Sequence, residues 1–394
     1  MSDATLPRLQ TPHVAALELA KHCRIMEFLL RISLLIIATL AASGCGSKTP
    51  PAFFKNPQPL LTWLGEFTRP AGTVYPQLAD SSRFGSISGL APDEKRGQWI
   101  GVIDDREQSR VVWLNVGFGP KGLDVAPVRM QAIGVGPGVE ARRVIEADLE
   151  SIVALPNGGF VAAEEGHGTR GNAVWQPALL QMNHDAVVTN VIEFPGEYQI
   201  TGDEKSGLRA NQGFEGLTVT PRGHLIAGLE QPLIQDGLVT FDRGGQGWLV
   251  EFQPSGSTFR PAQRWRYQIS PTPRVENFDD VCNDGENGLV ELLALSDTTL
   301  ISMERACLVT KDGQFNANTV QLFSVELVEG TARKRLLLNF DNITSRLSSA
   351  LSRLENFEAM TFGPIVNGMP TLLIASDDNF RKTQKTSFLL FGMR

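Results

Sequence analysis

The chain has 394 residues and a formal charge of −7, with 36 Lys and Arg against 43 Asp and Glu. That balance argues against a nucleic-acid partner, which would want a basic stripe. Five His and four Cys, with no CxxC pair, argue against a zinc-like or His-based metal site. The 38 Gly and 23 Pro, set among many short apolar runs, point to an all-β chain.

Residues 1–25 are ordinary and polar, and Met26 reads as a better start. Arg24 and Arg31 then precede an eleven-residue apolar run, Ile32 to Ala42, broken only by Ser33 and Thr39. Such a run is short for a membrane span and fits the core of a signal peptide. Ala42-Ser43-Gly44 lead into Cys45. This ending resembles the lipobox of bacterial lipoproteins, although Ala42 stands where Leu is commonest. The resemblance implies that Cys45 becomes the lipidated first residue and attaches the protein to a lipid membrane. The other readings are a plain signal peptide or an uncleaved anchor. Gly46 after the cysteine, rather than Asp, implies the outer membrane or the periplasmic face of a bacterial envelope. The expected organisation is an extension and signal over 1–44, a lipidated Cys and tether over 45–60, and one domain over 61–394. In an oxidising compartment Cys282 and Cys307 are the pair left to bridge, and the spacing leaves bridged and free both open.

From residue 61 the chain repeats. Asp148-Leu-Glu-Ser-Ile-Val-Ala-Leu-Pro156 aligns with Phe214-Glu-Gly-Leu-Thr-Val-Thr-Pro221 and with Phe357-Glu-Ala-Met-Thr-Phe-Gly-Pro364. In each, a Glu precedes a Pro by six residues, and a second apolar run ends in an acid: Glu164, Glu230 or Asp377. Looser copies begin at Ser88 and Val290 and end at Asp104 and Glu304. The starts at 88, 150, 215, 290 and 358 lie 62, 65, 75 and 68 residues apart. Each copy reads as two short strands joined by a Gly/Pro/Asp turn, followed by two more strand-like runs. After Asp377 only Thr386 to Phe391 remains, and Leu61 to Thr68 can supply the missing strand. The expectation is a β-propeller of five four-stranded blades, six being possible, closed by pairing its N- and C-terminal strands. A stacked sandwich explains the repetition less well.

In a propeller the start of each first strand and the end of each second strand share one channel mouth. Asp104, Glu150, Glu164, Glu215, Glu230, Glu304, Glu358 and Asp377 are therefore expected to converge there. Crowded carboxylates must be protonated, paired or neutralised by a cation. Oxygen donors suit a hard cation, Ca²⁺ or equally Mg²⁺. The metal candidates are Asp104, Glu150, Glu164, Glu230, Glu304 and Asp377. Glu215, Glu358 and Asp378 are the catalytic candidates, and Arg106, Arg305 and Arg381 the substrate-binding ones. Each acid taken alone could equally be a strand-end structural group.

Asn-Gln-Gly-Phe-Glu-Gly-Leu (211–217), Leu-Glu-Gln-Pro (229–232), Met-Glu-Arg (303–305), Asn-Phe-Glu-Ala-Met (356–360) and Ser-Asp-Asp-Asn-Phe (376–380) together resemble the phytase-like family, also described as "esterase-like activity of phytase". The resemblance covers roughly residues 60–394. It implies a propeller rich in recurring acids and a phosphoester-hydrolase activity on a phosphorylated small molecule. The competing function is a non-catalytic envelope module with structural Ca²⁺ and an unknown envelope partner. A serine-hydrolase reading is weaker, because Gly85-Ser-Ile-Ser-Gly89 places Ser second and fourth rather than third.

Overall fold

The computed structural model describes residues 58–394 apart from 80–83, 106, 157, 170–171, 202–204, 284, 315 and 352. Cys45 and Arg106 lie outside the described residues.

The described chain opens on β1 (Leu61–Pro70). The first unit follows as β2 (Ile87–Asp93), β3 (Gln98–Ile103), β4 (Arg110–Gly119) and β5 (Gly122–Ala132). A two-residue strand, β6 (Gly134–Val135), and a short helix, Ala141–Ile145, lead to the second unit. That unit contains β7 (Leu149–Ala154) and β8 (Phe160–Glu164), a small hairpin of β9 (His167–Thr169) and β10 (Asn172–Trp175), then β11 (Ala178–Met182) and β12 (Val187–Glu193). The third is β13 (Phe214–Val219), β14 (Leu225–Leu229), β15 (Gly245–Ser255) and β16 (Thr258–Ile269). After β17 (Asp280–Val281) comes the fourth, β18 (Gly288–Ala294), β19 (Thr299–Val309), β20 (Asn316–Val328) and β21 (Thr331–Asn339). The last is β22 (Asn356–Phe362), β23 (Thr371–Asp377) and β24 (Lys385–Met393), with β1 as its fourth strand.

Each unit is an antiparallel meander, and β1 pairs with β24 from Leu61↔Met393 to Pro70↔Lys385. The chain therefore closes on itself, in an all-β, propeller-like arrangement. First strands are buried almost throughout, as in β18 and β22, so their residues do not alternate between buried and exposed. Outer strands alternate, as in β16, where Trp265, Tyr267 and Ile269 are buried between exposed neighbours. Alternation sends successive side chains to opposite faces, and each face meets the next unit.

The core follows from this. Among the described residues it consists of five apolar clusters, each between two consecutive units. The pattern is plain in β8, where Phe160 and Ala162 pack toward the first unit and Val161 and Ala163 toward the third. The cluster joining the last unit to the first combines Ile87, Leu90 and Val112 with Leu373, Phe388 and Leu390.

Each first strand also has a register shift at one place: Ile87/Gly89, Leu149/Ser151, Phe214/Gly216, Leu289/Glu291 and Phe357/Ala359. The residues passed over are Ser88, Glu150, Glu215, Val290 and Glu358, the five starts of the sequence repeat. A β-bulge re-aims the side chain at its extra residue, so the repeat is a repeat of bulges. Cys282 and Cys307 are joined in a disulfide, with Cα atoms 5.4 Å apart.

Candidate functional site

Beside the bulges, a residue at or near the end of the inner part of each second strand sits opposite the residue before or at the start of each first strand. Asp104 N donates to Ser86 O (2.9 Å), Glu165 N to Asp148 O (3.0 Å) and Glu230 N to Gly213 O (2.7 Å). The same places are Gly288↔Arg305 and Asn356↔Asp377 in the last two units. One end of the ring thus carries Asp104, Asp148, Glu165, Glu230, Arg305 and Asp377, with Glu150, Glu215 and Glu358 on the bulges.

Their oxygens meet. Asp104, Asp148 and Glu150 offer carboxylate atoms within 4.8 Å of one another, and so do Glu165, Glu215 and Glu230. Both acidic groups could hold a metal ion. Across the ring Arg305 Nη2 donates to Glu358 Oε1 at 2.6 Å. Asn356 Nδ2 donates to the same oxygen at 2.9 Å. Ser86 Oγ donates to Asp377 Oδ1 at 2.5 Å. The buried acceptor Glu215 Oε2 and the buried donor Arg305 Nε have no hydrogen-bond partner among the described residues.

Six of the eight acids expected here are in this group, namely Asp104, Glu150, Glu215, Glu230, Glu358 and Asp377. Glu164 and Glu304 are not, which corrects the expectation. Both are the last acidic residue of the apolar run, opposite Leu149 and Leu289, and alternation turns them to the other face. Glu164 meets Arg143 at 3.3 Å. Glu304 accepts from Tyr267 Oη (2.7 Å), Asn287 Nδ2 (2.8 Å) and Lys334 Nζ. Their places are taken by Glu165 and Arg305, while Asp148 joins from the first-strand side. A signal was present in the sequence: Glu150 to Glu165, Glu215 to Glu230 and Val290 to Arg305 each span 15 residues.

Asp378 is fully buried, and its oxygens accept from Ser86 N (3.0 Å), Phe380 N (3.0 Å) and Thr386 Oγ1 (2.5 Å). It ties the last unit to the first. Asp377 Oδ1 accepts from Asn379 N at 2.6 Å. These bonds hold Asn379 and Phe380 at φ of 48° and 50°, a region that a bulky residue rarely enters. Arg381 follows on that turn and is exposed.

The phytase-like family, described as "Esterase-like activity of phytase", matches residues 82–380. The chain belongs to this family. No curated protein matches it in sequence. Among solved structures, an endo-arabinase from Bacteroides thetaiotaomicron is similar at 10% identity and a TM-score of 0.42, over 83% of this chain and 97% of that one. A glycosyl hydrolase from Bacteroides ovatus is similar at 8% identity and 0.40, over 86% and 92%. The parainfluenza virus 5 hemagglutinin-neuraminidase ectodomain is similar at 8% and 0.38, over 96% and 98%. These values are too low to carry a residue or an activity across.

In this phytase-like chain the site holds its protons tightly. Burial pushes Glu215 well above the usual carboxylate range, with Glu230 and Glu358 adding to it. Glu150 is raised in the same way by burial and by Asp104 and Asp148. Burial and Glu358 push Asp377 up to about 7. Glu358 is raised by burial, against the opposing pull of Arg305. Burial works against the Arg305 cation, but Glu358 and Glu215 outweigh it and raise its pKa. Among the described residues, the carboxyls of the group far outnumber its guanidinium, Arg305, and the surplus calls for protons or a cation.

Proposed function

We propose that this phytase-like chain is an exported, envelope-attached hydrolase of phosphate esters that works with a divalent cation at the acidic end of its ring. The observation that carries this reading is Glu215 Oε2. It is a carboxylate oxygen in a residue only 8% exposed, without a protein donor among the described residues, and it belongs to the Glu165–Glu215–Glu230 group. Leaving such an atom unmatched is costly, and an all-oxygen donor set fits Ca²⁺, with Mg²⁺ as the alternative. Glu165, Glu215 and Glu230 would hold the ion, and Asp104, Asp148 and Glu150 form a second candidate set. When bound, such an ion supplies Lewis-acid polarisation of a phosphoryl oxygen and lowers the pKa of water.

The chain's own residues supply the rest. Arg305 keeps an Nε–H free for an anionic oxygen, while Glu358 holds its far end. Asp377, linked to Glu358 through Asn356, is the group to exchange a proton with a leaving alcohol near neutral pH. Arg381 and Arg106 are further anion-binding candidates. The apolar run Ile32 to Ala42 and Cys45 support export and lipid attachment at the outer membrane or periplasmic face.

The test is phosphate release from phytate and from a simple phosphomonoester, with Ca²⁺, with Mg²⁺ and with chelator. Cation-dependent release that drops about a hundredfold or more in Glu215→Gln is the expected result. No release, with melting raised by Ca²⁺, would instead mark a calcium-stabilised binding module.

A further inference from the structure

One layer below the bulged glutamates lies a further buried carboxyl, Glu291 of β18, which is 1% exposed. It follows the bulge residue Val290, so its equivalents in the other units are Gly89, Ser151, Gly216 and Ala359. Four of the five first strands thus present a small residue to this layer, and one presents a long acid. Room for more is absent: a Cβ on Gly89 would lie 2.5 Å from Ser151 Cα, and one on Gly216 would lie 3.3 Å from Glu291 Cα.

The acid reaches three other strands. Ser151 Oγ of β7 lies 3.0 and 2.9 Å from its two oxygens. Leu217 N of β13 donates to Oε1 at 3.0 Å, and Leu292 N of its own strand at 2.9 Å. The backbone N–H of Met360 of β22 lies near enough to favour the charged form of Glu291. Those three strands carry Glu150, Glu215 and Glu358, each within two residues of its contact with Glu291.

We propose that Glu291 is the positioning residue of the acidic site: one carboxyl under the ring that sets the mutual spacing of Glu150, Glu215 and Glu358. A site that recognises a small hard ligand needs its donors held to about 0.5 Å by a second layer of bonds. Glu291 supplies that layer for three blades at once. Gly89 and Gly216 keep the first strands close enough for its side chain to cross between them, since their Cα atoms lie against the backbones of Ser151 and Glu291. Alanine cannot replace Glu291. It offers no acceptor to Leu217 N and Leu292 N, which both bond Oε1, and none to Ser151 Oγ.

The proposal rests on the cation reading of the site, and its test separates the two. Full-length protein is compared with Glu291→Ala and with Glu304→Ala, the latter removing a buried acid on the other face that also joins several strands. Both variants lower the melting temperature. In calorimetric titration with Ca²⁺ alone, Glu291→Ala is expected to weaken binding about tenfold or more, while Glu304→Ala stays within about twofold of the native protein. Crystal structures of both variants give the second readout. Glu291→Ala should displace the carboxyls of Glu150, Glu215 and Glu358 relative to one another by about 1 Å, and Glu304→Ala should not. If Glu291→Ala keeps both the native spacing and the native affinity, the positioning role is wrong. If the native protein binds no Ca²⁺, the cation reading fails and the crystal comparison alone decides the role of Glu291.

Discussion

Glu164 and Glu165 are adjacent, of the same residue type and both buried, yet they belong to different environments. Glu164 is the last residue of β8 and faces Arg143, where burial pushes its carboxyl up to about 7 against the pull of that guanidinium. Glu165 turns inward, accepts from Gly213 N at 2.8 Å and joins Glu215 and Glu230. The two should therefore separate in experiment. Glu165→Gln is expected to weaken Ca²⁺ binding about tenfold or more, as loss of a charged ligand does. Glu164→Gln should lower the melting temperature through the stranded Arg143 and leave Ca²⁺ binding near native. Equal effects of both substitutions on Ca²⁺ affinity would show that the two acids are not divided by strand alternation.

At the scale of the element, the bulge and the closing strand matter most. The bulge lets one inward position per first strand project into the site while the rest of the strand stays packed on both faces. Glu occupies it in β7, β13 and β22, Ser in β2 and Val in β18. The site is therefore lopsided by sequence, and Arg305 falls in the unit whose bulge carries Val. Closure depends on β1 against β24. Phe391 of β24 is 1% exposed, with Trp63 of β1 edge-on at 5.5 Å and Phe340 at 5.8 Å. Phe391→Ala should cost about 3–5 kcal/mol in urea unfolding, the range for an aromatic removed from a packed core. A loss below about 1 kcal/mol would mean that the closing strand contributes little to the ring.

For the whole molecule, the raised carboxyls link stability to pH. A carboxyl whose folded pKa exceeds its unfolded value binds its proton more tightly in the fold. Its contribution is complete below the unfolded pKa and is lost as pH rises through the folded one. For Glu164 and Asp377 that window runs from the ordinary carboxylate range up to about 7. Glu150 and Glu215 shift in the same direction. In chelator the melting temperature should fall between about pH 5 and pH 8. With Ca²⁺ the fall should shrink, because an ion bound only to the fold replaces the protons there; about a hundredfold excess over Kd adds about 2.7 kcal/mol. A melting temperature that rises over this range in chelator would contradict the burial of these acids.

The sequence by itself determined the strands, their grouping into repeats and the closing partner of the last unit. These follow from local period, turn residues and spacing, which need no knowledge of distant contacts. It also placed Glu150, Glu215 and Glu358 correctly at one end, because each copy keeps the same offset from its turn. Only the tertiary structure decided which of two neighbouring acids faces inward, since a shift of one residue reverses the face. It alone revealed that Asp378 fastens the ring, through Ser86, 292 residues away in the chain. The role of Glu291 was equally hidden, because its partners Ser151, Leu217 and Met360 are brought together only when the ring closes.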